Sequence, residues 1–170
     1  PLGSGTLTTA AKQGKIAAGD LAEAIDVMTD LNAGACEAAL LVGVHAATDI
    51  TGFGLIGHAF EMAQASGVTI ELDAKRVPLM NQTSELARAG VVTRAAKSNL
   101  AHVGRQLVCA GVDEVLVKIM AVAHTSGGLL LSVAADRVER LLFALTQKKT
   151  RAAHIVGRVL AQTTHSVECV

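Results

Sequence analysis

The sequence predicts an α/β domain in which helices and a mixed β-sheet are stacked as α-β-α layers. Short apolar or β-branched runs alternate with segments of helical periodicity along the chain. Hydrophobic residues make up 51% of the 170 residues, yet only three residues are aromatic, so the core is aliphatic and suits helices packed on a sheet. The length is typical of one domain, and we predict a single domain over residues 1–170 with one hydrophobic core.

The first third of the chain is predicted to contain two helices and a strand. Apolar residues recur at helical spacing over residues 19–41, and a break near Asn32 and Gly34 divides this pattern into two helices. Before them, residues 7–10 offer hydroxyls without a charged partner and are interpreted as the end of a strand. Residues 42–48 are short and β-branched enough to form a strand.

A strand, a turn and a helix are predicted next. Thr51 is a suitable N-cap for a helix that stops at Gly67, because glycine readily adopts the conformation that ends helices. Residues 68–72 form another strand. Pro78 begins or precedes a further helix, which ends at Gly90.

The last third is predicted to alternate again between helix and strand. Residues 113–123 are Val-rich like a strand but also fit one helical face, and we favour a helix. A buried strand over 129–133 and a helix over 137–147 follow. Residues 155–160 and 166–170 are two more strands, for a total of five or six strands with four or five helices.

Charge and hydropathy disfavour several functions. Lysine plus arginine equals aspartate plus glutamate at 15 each, so no electrostatic footprint for nucleic acid or an anionic membrane surface is present. No apolar run approaches the roughly 20 residues of a membrane-spanning helix, and no basic-then-apolar segment opens the chain. We therefore expect a cytoplasmic protein that binds neither nucleic acid nor membrane.

The cysteines and histidines do not form a metal-binding pattern. Cys36, Cys109 and Cys169 are odd in number and widely separated, and we predict free, buried thiols. The six histidines are also dispersed, which disfavours a histidine-based metal site.

The stretch from Thr48 to Gly54 combines three features that a nucleoside triphosphate requires. Asp49 is a hard oxygen ligand suited to Mg²⁺. Gly52 and Gly54 allow the backbone to approach a phosphate, and the following helix N-terminus offers unpaired N–H groups. The simpler interpretation is that Asp49 or Thr51 only caps the helix while the glycines shape the turn.

A second glycine-containing stretch spans residues 125–128, Thr-Ser-Gly-Gly, before an apolar run. Taken alone, this stretch is best interpreted as a plain loop. No G-x-x-x-x-G-K-[ST] loop and no Ser–His–Asp or Cys–His pairing is present, so we assign no catalytic residue to this chain.

Residues 47–68, ATDITGFGLIGHAFEMAQASGV, closely resemble the signature of selenophosphate synthetases, Thr-Asp-[Val/Ile]-Thr-Gly-Phe-Gly followed by [Leu/Ile]-[Leu/Ile]-Gly-His. Residues 1–5 resemble the family's Lys-Pro-Leu-Gly-Thr-Gly segment, Asn99 falls where the family has an Asn after a basic stretch, and residues 125–130 resemble its Thr-Ser-Gly-Gly segment. The resemblance spans nearly the whole sequence.

This resemblance implies the C-terminal domain of the aminoimidazole ribonucleotide synthetase superfamily, an α/β domain that closes over the nucleotide beside an N-terminal domain forming a dimeric core. The family converts ATP, selenide and water into monoselenophosphate, AMP and orthophosphate, and its catalytic Cys or selenocysteine and a Lys lie in the N-terminal domain. By resemblance Asp49 is one Mg²⁺ ligand, with Thr48, Thr51, Gly52 and Gly54 beside the nucleotide. The isolated chain is expected to be inactive, and the complete enzyme to be a homodimer.

Residues 122–124 depart from the family pattern. Many bacterial members have Asp-Pro-Gln before Thr-Ser-Gly-Gly, whereas this chain has Val-Ala-His. The departure motivates an alternative, a catalytically silent paralogue that acts as an interaction domain. The motifs of related kinases and hydrogenase maturation factors, Asp-Val-Ser-Asp-Gly and Asp-Pro-Thr-Arg-Gly-Gly, are absent.

Overall fold

The computed structural model describes all residues 1–170 and contains six strands and eight α-helices. The helices are α1 (Ser4–Lys12), α2 (Ala22–Thr29), α3 (Ala33–Val42), α4 (Gly54–Ser66), α5 (Thr83–Arg88), α6 (Arg94–Val103), α7 (Glu114–Met120) and α8 (Val138–Gln147). The strands are β1 (Ala46–Asp49), β2 (Val68–Leu72), β3 (Leu107–Val108), β4 (Leu129–Ser132), β5 (Gly157–Ala161) and β6 (Val167–Cys169). No helix is both long enough and apolar enough to span a bilayer.

The strands form two sheets, and the larger sheet is mixed. Its order is β3-β6-β2-β5, in which β2 runs antiparallel to β5 and parallel to β6, and β3 runs parallel to β6. β1 and β4 form a separate antiparallel pair in which Asp49 lies opposite Leu129. Helix α4 contacts β1, β2 and β6, and so packs against strands of both sheets. The predicted α/β class with a mixed sheet is confirmed.

One large hydrophobic cluster forms the core, and two smaller apolar clusters flank it. The largest joins α4 to the sheet through Ile56, Phe60 and Leu72. A second lies around Leu7 between α1, α2 and α5, and a third lies around Leu141 between α3 and α8. The two smaller clusters bury the facing apolar residues of the flanking helices.

Two local predictions near the start were wrong. Residues 7–10 lie inside α1 rather than at a strand end, and Thr8 and Thr9 donate hydrogen bonds to the carbonyls of Ser4 and Gly5 one turn earlier. The predicted strand over 42–48 begins later, because Val42 still belongs to α3, which ends at Gly43 in a left-handed conformation with φ of 80°. The break predicted near Asn32 is confirmed, since α3 starts at the next residue.

Candidate functional site

We call residues 48–54 the Asp49 loop; it leads from β1 into α4. Asp49 is the last residue of β1, and its side chain is exposed. Its carboxylate makes no hydrogen bond or ion pair within the chain, and the only side-chain contact at this residue is a hydrogen bond from Thr48 Oγ1 to the Asp49 carbonyl at 3.4 Å. The carboxylate is therefore free to bind a ligand from outside the chain.

The Asp49 loop is held in place by Asn99 of α6. The Asn99 side-chain amide donates to the Gly52 carbonyl at 3.0 Å and to the Ala121 carbonyl at 2.9 Å, and Asn99 is only 6% exposed. Satisfying two backbone carbonyls from one buried amide ties the loop to the residues that follow α7. Asn99 matches the family pattern in sequence, but its role is visible only in the structure.

The two glycines of the loop have different surroundings. Gly54 has φ of 68°, and a Cβ added there would lie 2.8 Å from each of the Met120 carbonyl oxygen, the Ala121 carbonyl carbon and the Val122 carbonyl oxygen. Close packing against this backbone accounts for glycine at position 54 without any ligand. Gly52 is exposed, and a Cβ there would meet no atom within 4 Å.

Thr51 does not cap α4 as predicted. The N-cap is Phe53, which makes no capping hydrogen bond, because the chain turns once more before the helix and the Gly54 N–H donates to the Thr51 carbonyl. The Thr51 hydroxyl instead lies 3.2 Å from His58 Nε2, and the His58 Nδ1 lies 3.2 Å from Glu61 Oε2.

The second glycine stretch lies directly against the Asp49 loop. The Ile50 N–H donates to the Gly128 carbonyl at 2.9 Å, and a Cβ on Gly127 would lie 2.0 Å from the Ile50 carbonyl oxygen. From the other side, the Asn32 amide donates to the Gly127 carbonyl at 2.8 Å. Position 127 therefore requires glycine, and two motifs more than 70 residues apart form one surface.

The N-terminal residues also pack against residues 120–124. Ser4 Oγ lies 3.2 Å from His124 Nδ1, and both residues are buried. A Cβ on Gly5 would lie 2.4 Å from the Ala123 carbonyl oxygen. Burial lowers the pKa of His124 to about 4, so its ring is neutral at pH 7. His124 Nε2 and the buried Thr6 Oγ1 have no hydrogen-bond partner.

A small aromatic cluster beside the loop was not anticipated from the sequence. Phe53 is 43% exposed, stacks on the His102 ring at 5.8 Å and meets the His58 ring edge-on at 5.6 Å. His102 also contacts Phe60 edge-on. His102 lies on a different helix, so no sequence spacing could have indicated the cluster.

The chain does not by itself form a complete metal site. No group of three or more His, Cys, Asp or Glu side chains is close enough together to hold a metal ion. Asp49 nevertheless fits Mg²⁺ as a single ligand, because its exposed carboxylate has no competing partner. Mg²⁺ commonly takes only one or two protein carboxylates and completes its shell with water and substrate phosphates.

An apolar cleft lies beside the Asp49 loop, and its lining includes Ile50, Gly128 and Leu129. It has a volume of about 370 Å³ and runs between β4 with α8 on one side and β5 on the other. Most of its lining is apolar, including Leu131, Leu145 and Val156, and Asp49 is not part of it. Basic side chains, among them Lys148, Arg151 and Arg158, also line this cleft. The Asp49 loop is the candidate metal-binding site, because the Asp49 carboxylate is exposed and has no partner within the chain.

The fold is an α/β domain in which two glycine-containing turns meet beside the exposed Asp49 carboxylate. The chain belongs to the family described as AIR synthase related protein, C-terminal domain, whose model matches residues 1–170.

Curated relatives are selenide, water dikinases. The chain is 44% identical over 165 residues to selenide, water dikinase of Myxococcus xanthus, covering 95% of this chain and 46% of that protein. It is 38% identical over 167 residues to selenide, water dikinase 2 of Peptoclostridium acidaminophilum, covering 98% of this chain and 48% of that protein. The chain thus spans about half the length of the curated relatives it matches.

Solved structures support the architecture. The hydrogenase maturation protein HypE superposes with a TM-score of 0.62 at 19% identity, covering 98% of this chain and 46% of that chain. A chain of the HypE–HypF complex gives a TM-score of 0.59 at 15% identity, covering 99% of this chain and 47% of that chain. At these identities the likeness concerns the fold alone.

Proposed function

We propose that this chain is the C-terminal domain of a selenide, water dikinase, an enzyme that makes monoselenophosphate from selenide, ATP and water, with AMP and orthophosphate as the other products. The observation that carries the proposal is the exposed Asp49 carboxylate, which has no partner within the chain. It lies on a loop that the Asn99 amide holds by donating to the Gly52 and Ala121 carbonyls. Identities of 34–44% to curated selenide, water dikinases over most of this chain support it.

In this proposal Asp49 supplies one ligand to Mg²⁺ on the ATP phosphates. The ion, when bound, neutralises charge that develops during phosphoryl transfer. The exposed Gly52 lets the loop backbone approach a phosphate, and Thr48 and Thr51 flank the same edge. Gly54, buried against residues 120–122, acts by keeping the loop in position.

The remaining length of the relatives is proposed to supply the rest of the site. One carboxylate leaves a metal site incomplete, so further ligands come from an N-terminal domain, together with the Cys or selenocysteine and the Lys that act on selenide. That domain also forms the homodimer. The isolated chain is therefore proposed to have no turnover and to bind Mg-ATP only weakly.

The test replaces Asp49 in the complete polypeptide to which this chain belongs. Asp49→Asn keeps the size of the side chain but removes the negative charge, and we expect selenophosphate formation, followed by ³¹P NMR, to fall about 100-fold or more. The melting temperature should not change, because the carboxylate has no partner within the chain. The 170-residue chain alone, assayed in parallel, should give no selenophosphate.

Asp136→Asn is the matched control. Asp136 is also an exposed aspartate, but it follows the opposite end of β4 from the one that pairs with Asp49. Its replacement should leave turnover unchanged. Full activity of Asp49→Asn would reject the metal-ligand role, whereas absence of selenophosphate formation by the unaltered complete polypeptide would favour the silent interaction domain.

A further inference from the structure

Two of the three cysteines come together at the edge of the mixed sheet. Strands β3 and β6 are parallel and in register, with Leu107 opposite Val167 and Val108 opposite Glu168. The next pair in this register is Cys109 and Cys169. Neighbouring strands lie about 4.8 Å apart, and side chains at matching positions of a parallel pair point to the same face.

This spacing suits a disulfide. Bridged cysteines have Cα atoms about 4.4–6.8 Å apart, a range that includes the strand spacing. Strand β3 has only two residues and forms the edge of the sheet, so it can shift to bring the two sulfurs into bonding distance. Both cysteines are free thiols in the structure and contact the largest apolar cluster.

The two thiols differ in accessibility and in acidity. Cys109 is half-buried, whereas Cys169 is only 2% exposed. The neighbouring Cys169 thiol lowers the pKa of Cys109. The Cys109 side chain and burial raise the pKa of Cys169, so the accessible sulfur is also the one that ionises first.

We propose that Cys109 and Cys169 form a redox-active dithiol that small-molecule disulfides convert into an intramolecular disulfide. The Cys109 thiolate attacks one sulfur of the small disulfide, forms a mixed disulfide and releases one thiolate. Cys169 then loses its proton to solvent and attacks the Cys109 sulfur, which releases the second thiolate. Two protein thiols are oxidised by two electrons, and one small disulfide is reduced to two thiols.

The division of roles follows from the same geometry. Cys109 is the attacking thiol, because an incoming disulfide can reach it. Cys169 is the resolving thiol: once Cys109 is part of a mixed disulfide, its thiolate charge no longer opposes ionisation of Cys169. The bond would join the edge strand β3 covalently to β6, just before the segment that leads into α7.

The experiment treats the Cys36→Ser chain with oxidised glutathione and maps the products by mass spectrometry after trypsin digestion. Cleavage after Arg105, Lys118 and Arg158 places the two cysteines in separate peptides, 106–118 and 159–170. We expect these peptides to be recovered as one disulfide-linked species that dithiothreitol separates. Using Cys36→Ser removes the exposed third thiol, which lies outside the pair.

Two further variants test the roles. In Cys169→Ser, Cys109 should retain glutathione as a stable mixed disulfide, because no resolving thiol remains. In Cys109→Ser, the buried Cys169 should take up no glutathione. Recovery of peptides 106–118 and 159–170 unlinked from the Cys36→Ser chain, whether as free thiols or with glutathione attached, would overturn the proposal.

Discussion

The segment from Met120 to His124 contacts two regions that differ in how their polar groups are satisfied. In the Asp49 loop, the Gly52 carbonyl accepts from Asn99 and the Thr51 carbonyl accepts from the His124 N–H, while the exposed Asp49 carboxylate has no partner. In the N-terminal region, Thr6 Oγ1 and the Nε2 of His124, whose ring lies against Ser4, are buried without a partner. The first region has its backbone held by hydrogen bonds around an exposed carboxylate, whereas the second loses stability to unpaired polar atoms.

The largest loss of stability is expected from a substitution at Gly54 of the Asp49 loop. Gly54→Ala should destabilise the chain by about 3–5 kcal/mol, because it combines a left-handed backbone with a Cβ clash against the backbone of residues 120–122. Denaturant unfolding measures the loss. Gly52→Ala, two residues away in open space, is the control and should change stability by no more than about 0.5 kcal/mol. Equal effects of the two substitutions would show that the loop is not packed as described.

The buried His124 should make the stability of the chain depend on pH. Because burial lowers the folded-state pKa of His124 to about 4, the unfolded chain binds this proton first as the pH falls. The stability that the chain gains from keeping His124 neutral is therefore fully present above the unfolded pKa of about 6.5. It is lost progressively down to about pH 4, a change in the free energy of unfolding on the order of 3 kcal/mol. Unfolding should be measured between pH 7 and pH 4 for the native chain and for His124→Gln.

The His124→Gln variant serves as the reference in that comparison. Glutamine does not titrate, and its side-chain oxygen can still accept a hydrogen bond from Ser4. The native chain should lose more stability than the variant over this pH range. Parallel pH profiles would mean that His124 is not buried as described.

The smallest expected effect concerns the unpaired hydroxyl on the buried side. Thr6→Val removes a fully buried oxygen without a partner while keeping the side-chain shape, so it should stabilise the chain by about 1 kcal/mol. Thr8→Val on the same helix removes a hydroxyl that donates to the Ser4 carbonyl at 2.8 Å, and should destabilise by about 0.5 kcal/mol. Chemical denaturation of both variants tests whether the two changes in stability have opposite signs. A loss of stability in Thr6→Val would indicate that the Thr6 hydroxyl is paired in the native chain.

Elements with strong local signals were predicted well from the sequence. Strand β2 has the predicted bounds, and α4 ends at Gly67 in the left-handed conformation that glycine favours. The ambiguous run after Asp113 is helical over Glu114–Met120, as favoured. In each case the residues that decide the structure are neighbours in sequence.

Predictions failed where packing outweighs local preference. Residues 7–10 were predicted to end a strand because their hydroxyls have no charged partner, yet α1 packs on α2 and α5, which favours the helix. Helix α6 was not predicted, although Thr93 caps it by accepting from the Ala96 N–H. The strand predicted as buried after Gly128 is only half-buried, because β4 pairs with β1 alone.

The sequence alone identified the Asp49 motif, the α/β class and the family resemblance, because the signal for each lies in residues that are adjacent in the chain. Only the tertiary structure decided that Asn99 supports the loop, that His124 lies buried against Ser4, and that Cys109 faces Cys169. These pairs join residues far apart in the chain. Their proximity depends on sheet register and helix packing, which no local spacing encodes.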